Sequence, residues 1–197
     1  MSFNHMKFNS WFNTELWDLI ISWSIVSLVF SIAIHIPFFI SFLTVGLGFL
    51  FHELSHRFMA KHYSLIAVYR SNLRMLLFSL VLSFFGVVLL MPGGVVILGH
   101  ISKKKNGVIA MMGPLANIFL SVLFLILGLF LNTSIFHSTF YHSVFYYGFL
   151  INSYLALFNL LPLPGFDGNK VLLWNKFFYS LLLITSGFLL VLSYTLS

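Results

Sequence analysis

The sequence contains no cysteine. Thiolate metal ligands, cysteine nucleophiles and disulfides are therefore excluded, and any catalytic or metal site must be built from other side chains. Charge is scarce too. Only 7% of the 197 residues are charged, against about 25% in an ordinary soluble domain. Acids are the scarcest: Glu15, Asp18, Glu53 and Asp167 are all there are. No glutamate follows Glu53, which excludes a site that needs a downstream glutamate as ligand. What the chain has in plenty is apolar surface, with 60% hydrophobic residues. Such a chain cannot be a water-soluble globule around one core. It predicts an all-α polytopic membrane protein with about five to six membrane helices of roughly 20 residues each. No long polar stretch is left for a separate soluble unit, so residues 1–197 are expected to form a single domain.

The net charge of +6 does not point to nucleic acid. The basic residues fall in short runs between apolar segments, as in loops on the cytoplasmic side of a bilayer. Apolar segments are expected at about 16–36, 38–62, 73–91, 108–131, 143–161 and 172–196. Residues 1–15 lack the features of a signal peptide. Their aromatic residues Phe3, Phe8, Trp11 and Phe12 suit a membrane surface or a frayed terminus. Ser64–Arg70 and Val95–Leu98 read as short strands, a small β-hairpin element. Ser102 to Gly107 reads as a basic turn, and Pro162 to Gly168 as a turn that ends a helix.

Charge also constrains the third apolar stretch. If 73–91 crossed the membrane, Lys103, Lys104 and Lys105 would face outward, against the positive-inside rule. A re-entrant or surface-lying segment, bent near Phe84-Phe85-Gly86, keeps all the basic clusters on one side.

The chemistry-bearing stretch is His52-Glu53-Leu54-Ser55-His56. On a helix, positions i and i+4 share a face, so both imidazoles can reach one zinc ion. Glu53, one step round, is placed to take a proton from the attacking water. A catalytic zinc usually has three protein ligands. His62 stands beside Lys61 at the end of its apolar segment and reads as an interfacial side chain. Asp167 is the remaining candidate, although an Asp-Gly pair also serves as a plain turn. A non-crossing third stretch brings Asp167 and the histidines to the same side. His35, His100, His137 and His142 read as neutral interfacial histidines. Ala110, Gly113, Asn117 and Ser121 form a small-residue face suited to packing on the HExxH helix. Pro114 is expected to kink or start its helix.

Three motifs in order carry a family resemblance. They are HELSH, then Gly113-Pro114-Leu115-Ala116-Asn117, then Asn159-Leu160-Leu161-Pro162 through Asp167-Gly168. Together they resemble the site-2 protease family of intramembrane zinc metalloproteases, over about residues 45–168. The resemblance implies one Zn2+ per chain held by His52, His56 and Asp167, with Glu53 as base. It implies a membrane-protein substrate cut in or near a transmembrane helix. There is no room for the PDZ insertion that members often carry. Asn159 is a candidate for holding substrate backbone or an oxyanion, or else makes a helix–helix hydrogen bond. Gly93-Gly94 and Val95–Leu98 offer a strand edge to which an unwound substrate could add. The expected location is the cell membrane, with the site opening to the cytoplasmic side. A zinc-bearing protein that binds helices without cutting would have no need of Glu53. A metal transporter would need more carboxylates than this chain has.

Overall fold

The computed structural model describes residues 2–90, 92–131 and 139–196, without the side chains of 2–13, 131 and 139. The elements run α1 (Ser2–Ala33), α2 (Phe38–His62), β1 (Ile66–Ser71), α3 (Leu73–Ser83), β2 (Gly93–Leu98), α4 (Lys103–Leu131), α5 (Thr139–Asn159), α6 (Asp167–Trp174) and α7 (Lys176–Thr195). This is the expected helical membrane architecture with a small two-stranded sheet. Among the described residues, four helices are long and apolar enough to cross a membrane: Thr14–Ala33, Phe38–His62, Lys103–Phe130 and Lys176–Thr195. α5 has 21 residues and packs against α2, α4 and α7. It carries no charged residue, and its Asn152 and Ser153 are fully buried.

The third apolar stretch leaves the sheet and returns to it. β1 and β2 pair antiparallel, with Ser71 opposite Gly93. The 72–92 excursion therefore begins and ends at the same place. Asn72 caps α3 by accepting from the Met75 amide at 3.3 Å. The helix ends after 11 residues, a rise of about 16 Å, half of the ~30 Å a spanning helix needs. Gly86 turns the chain at φ +72°, near the bend expected from Phe84-Phe85-Gly86. The extended return is tied to α3 and α5 by the hydroxyls of Ser79 and Tyr154, which donate to the Leu89 and Val88 carbonyls.

Three boundaries differ from the sequence reading. α1 starts at Ser2 rather than near residue 16, so the polar N-terminal stretch has helical backbone. Two acids on α1 tie it to the rest of the fold. Buried Glu15 accepts from Arg57 on α2 (3.0 Å) and from the Tyr69 amide of β1 (3.1 Å). Asp18 takes Arg70 at 3.2 Å and the Ser71 hydroxyl at 2.5 Å. The basic 102–107 stretch is not a turn but the start of α4. The Ser102 hydroxyl accepts from the Lys105 amide (3.3 Å), an N-cap that converts the lysines into a first helical turn. Pro114 accordingly lies inside α4 and does not start it. Asp167, expected in a turn, is the first residue of α6, where the positive helix end favours a carboxylate.

Tyr69 is the pivot of the sheet. Its ring stacks edge-on to Phe49 of α2. Its hydroxyl lies 2.9 Å from the Ser22 hydroxyl of α1 and 3.2 Å from the Pro92 carbonyl. Burial pushes its phenol far up, so it stays a neutral donor. The Tyr69 amide points away from β2, to Glu15. Tyr69 and Val95 are therefore a non-hydrogen-bonded pair. By alternation, Gly93, Val95 and Ile97 turn their amides and carbonyls to the open edge of β2.

Candidate metal centre

α2 presents His52 and His56 one turn apart, both buried. Their Nε2 atoms lie 3.0 Å from each other. α6 brings in Asp167, whose Oδ2 is 3.2 Å from His52 Nε2 and 3.0 Å from His56 Nε2. Three elements of the chain fix this triangle. Gly168 lets α6 press onto the end of α5, because a Cβ there would overlap the Leu160 backbone. Gly113 lets α4 pass beside the imidazoles, because its Cβ would fall against both Nε2 atoms. The other side of each ring is held by α4. His52 Nδ1 lies 2.6 Å from Asn117 Oδ1, and His56 Nδ1 lies 2.8 Å from the Ile109 carbonyl.

These outer contacts fix the tautomers. Asn117 Nδ2 donates to the Gly48 carbonyl (3.0 Å) and to Asn152 Oδ1 (3.1 Å). Both of its amide hydrogens are thus used, and its Oδ1 faces His52 as an acceptor. His52 Nδ1 and His56 Nδ1 must each carry the proton, which leaves a lone pair on each Nε2. Two imine nitrogens and a carboxylate oxygen therefore converge with no proton among them. That arrangement repels itself unless a cation sits between. The 3.0–3.2 Å triangle suits a tetrahedral ion with bonds near 2.0–2.2 Å, and imidazole with carboxylate is a zinc donor set. On this geometry the residues fit a metal ion, as ligand-atom separations within 4.8 Å also indicate.

Lys170 supports the carboxylate from behind, its Nζ 3.1 Å from Asp167 Oδ1. Burial alone pushes the Asp167 carboxyl up, and the Lys170 ammonium at its Oδ1 pulls it down and favours the anion. Asp167 is an anion. Glu15, Asp18 and Asp167 each pair with a cation among the described residues. Glu53 is in none of these ion pairs, and its buried Oε2 has no protein hydrogen-bond partner. It lines a polar cavity of about 90 Å³ shared with His52, His56, Asp167 and Lys170.

The structure thus brings His52, His56 and Asp167 together, with Glu53 beside them. Asn159 lines the same cavity, and one of its amide hydrogens goes to the Leu155 carbonyl at 2.9 Å. His35, His62, His100 and His142 are exposed and outside the cluster, while His137 and the Met91 end of the third stretch lie outside the described residues. Lys170, Asn152 and the Ile109 carbonyl were missed in the sequence. Lys170 is legible only once Asp167 is known to open a helix, because i and i+3 then share a face. The carbonyl leaves no trace in sequence at all.

No family profile and no solved structure matches the chain. It is 37% identical over 171 residues to a protein of Methanocaldococcus jannaschii named "Putative zinc metalloprotease MJ0611". The alignment covers 85% of this chain and 87% of that protein. With that extent of identity, and three metal-competent side chains gathered in the fold, the chain belongs to the zinc metalloprotease family.

Proposed function

We propose that this membrane protein is a zinc-dependent intramembrane endopeptidase of the site-2 protease type, cutting peptide bonds in or near the transmembrane segment of a membrane-protein substrate. The observation that carries the reading is the convergence of three unprotonated ligand atoms beside the unpaired Glu53 carboxylate. It lies within a bundle of membrane-length helices. His52 is ten residues from the basic end of α2, about 15 Å along the axis and near half the bilayer thickness.

His52, His56 and Asp167 would hold one zinc ion. When bound, zinc polarises the scissile carbonyl and lowers the pKa of water toward about 7. Glu53 takes the proton of the attacking water on its Oε2 and passes it to the leaving amine. Lys170 keeps the Asp167 carboxylate turned so that Oδ2 faces the imidazoles. Asn159 has a second amide hydrogen for the substrate backbone or the oxyanion. A helical substrate must unwind before its scissile bond is reachable. The outward backbone groups of Gly93, Val95 and Ile97, all lining the Glu53 cavity, provide an edge that holds the unwound stretch extended. The basic clusters around this end of the bundle support a site that opens to the cytoplasmic side of the cell membrane.

The test is paired. Zinc content and cleavage of a model transmembrane substrate are measured for wild type, Glu53→Gln and Asp167→Ala. Glu53→Gln is expected to keep zinc and lose cleavage, whereas Asp167→Ala loses both. Full turnover by Glu53→Gln ends the enzyme reading.

A further inference from the structure

Two cavities meet at Glu53. The metal-side cavity is polar, with Asp167, Lys170 and Asn106 in its wall. The other lies between α1, α2 and α5, with a volume of about 260 Å³. Its walls are Val26, Phe49, Leu90, Leu155 and Phe166, each itself buried. His52, Glu53, Gly93, Asn159 and Gly165 line both. The two are one cleft with Glu53 at its waist: a polar half where charge develops, and an apolar half beyond it.

Natural cores are packed with few gaps larger than a water molecule. A hollow with such an apolar wall, edged by the amides of Asn72, Asn117 and Asn159 and opening onto a base, is therefore a receptacle. It is larger than the ~150 Å³ apolar cavity that takes up benzene. No lysine or arginine lines it among the described residues, so an acidic guest would go unpaired. A cationic guest would find only Glu53, the group needed as base. Gly93 sits at the boundary, its backbone pressed on Arg70 and Ser71 of β1. A strand added along the open edge of β2 alternates its side chains between faces, and one of them is delivered to this opening.

We propose that the apolar half of the cleft is a specificity pocket. It receives the side chain of the substrate residue adjoining the scissile bond and selects bulky aliphatic or aromatic residues there. This rests on the protease reading above. Leu155 lines the α5 wall of the pocket.

The experiment uses a reporter with one transmembrane segment, reconstituted in liposomes with the zinc-loaded enzyme. The residues on both sides of the mapped cleavage point are varied in turn to Gly, Leu, Phe and Lys. Wild type is expected to prefer Leu or Phe over Gly at one of these positions by about tenfold or more in kcat/KM, the discrimination that a few methylenes support. Leu155→Trp fills the pocket. It should keep the zinc content and lose that preference or invert it toward Gly. Val26→Phe fills it from the opposite wall and repeats the test should the tryptophan variant not fold. The same preference is read without turnover by binding of peptide hydroxamates carrying Leu or Gly to zinc-loaded Glu53→Gln, with and without the filling substitution. Leu-to-Gly ratios that do not change when the pocket is filled, or equal acceptance of Lys, overturn the pocket and leave the protease reading standing. Failure of wild type to cut any reporter overturns the protease reading, and the hydroxamate ratio still decides the pocket.

Discussion

Gly113→Ala tests whether the space beside the two imidazoles is kept clear for a metal. The added Cβ falls within 2.5 Å of His52 Nε2 and 2.6 Å of its Cε1, and against His56 Nε2 as well. These are the nitrogens a metal must reach at about 2.0–2.1 Å, so the methyl competes for the same space. Neither ring can simply swing away, since each is held at its far nitrogen, by Asn117 Oδ1 and by the Ile109 carbonyl. Displacing both rings breaks two buried hydrogen bonds, each costing about 1–3 kcal/mol. Taking about 3 kcal/mol in total, zinc affinity falls about 10²-fold. Helix propensity acts the other way: alanine is favoured over glycine inside a helix by about 0.8–1 kcal/mol. The broken bonds also weaken the metal-free fold, so the metal-free variant should lose about 2 kcal/mol net, the broken bonds less the propensity gain. Zinc affinity is measured by competition with a chelator in detergent, and apoprotein stability by thermal unfolding. Wild-type zinc affinity in Gly113→Ala would refute the assignment of this glycine to the metal site.

Other outcomes follow from the same geometry. Lys170→Gln leaves Asp167 Oδ1 without its cation and should weaken zinc binding about 10- to 100-fold, the usual cost of losing an outer partner; the same chelator competition reads it. Asn117→Leu removes the acceptor that fixes the His52 tautomer and should weaken zinc by a similar factor, again read by chelator competition. Proline at Val95 or Ile97 removes an outward amide and should abolish cleavage while leaving zinc in place. Proline at Val96 or Leu98 instead strikes a bond to β1 and is expected to lower thermal stability. Protease-accessible tags after Asn72 and before Lys103 should report on the same membrane face, and opposite faces would contradict the returning excursion.

Much of the centre could be read from the chain before the fold. His52 and His56 were legible because helical spacing turns i and i+4 into one face. Asp167 was legible because so few carboxylates were available. The return of the third stretch was legible from where the lysines fall. What escaped was whatever depends on backbone passing close by. Gly113 and Asn117 read as ordinary packing residues, yet one clears the space beside the imidazoles and the other sets a proton. The start of α4 was misread because three consecutive lysines and a following Asn-Gly look like a turn, and a single serine cap decides otherwise. Glu15 looked like part of a loose terminus because its backbone partner, the Tyr69 amide, lies more than forty residues away.

A free two-stranded ribbon has two open sides and can grow from either, which is how copies of a protein come to stack on one another. Here the Glu15 carboxylate plugs one side by occupying the Tyr69 amide. The ribbon can lengthen by one guest strand in one direction only. The Glu15 carboxylate of α1 thus sets both the capacity and the handedness of docking, and neutralising it would open a second, unproductive berth.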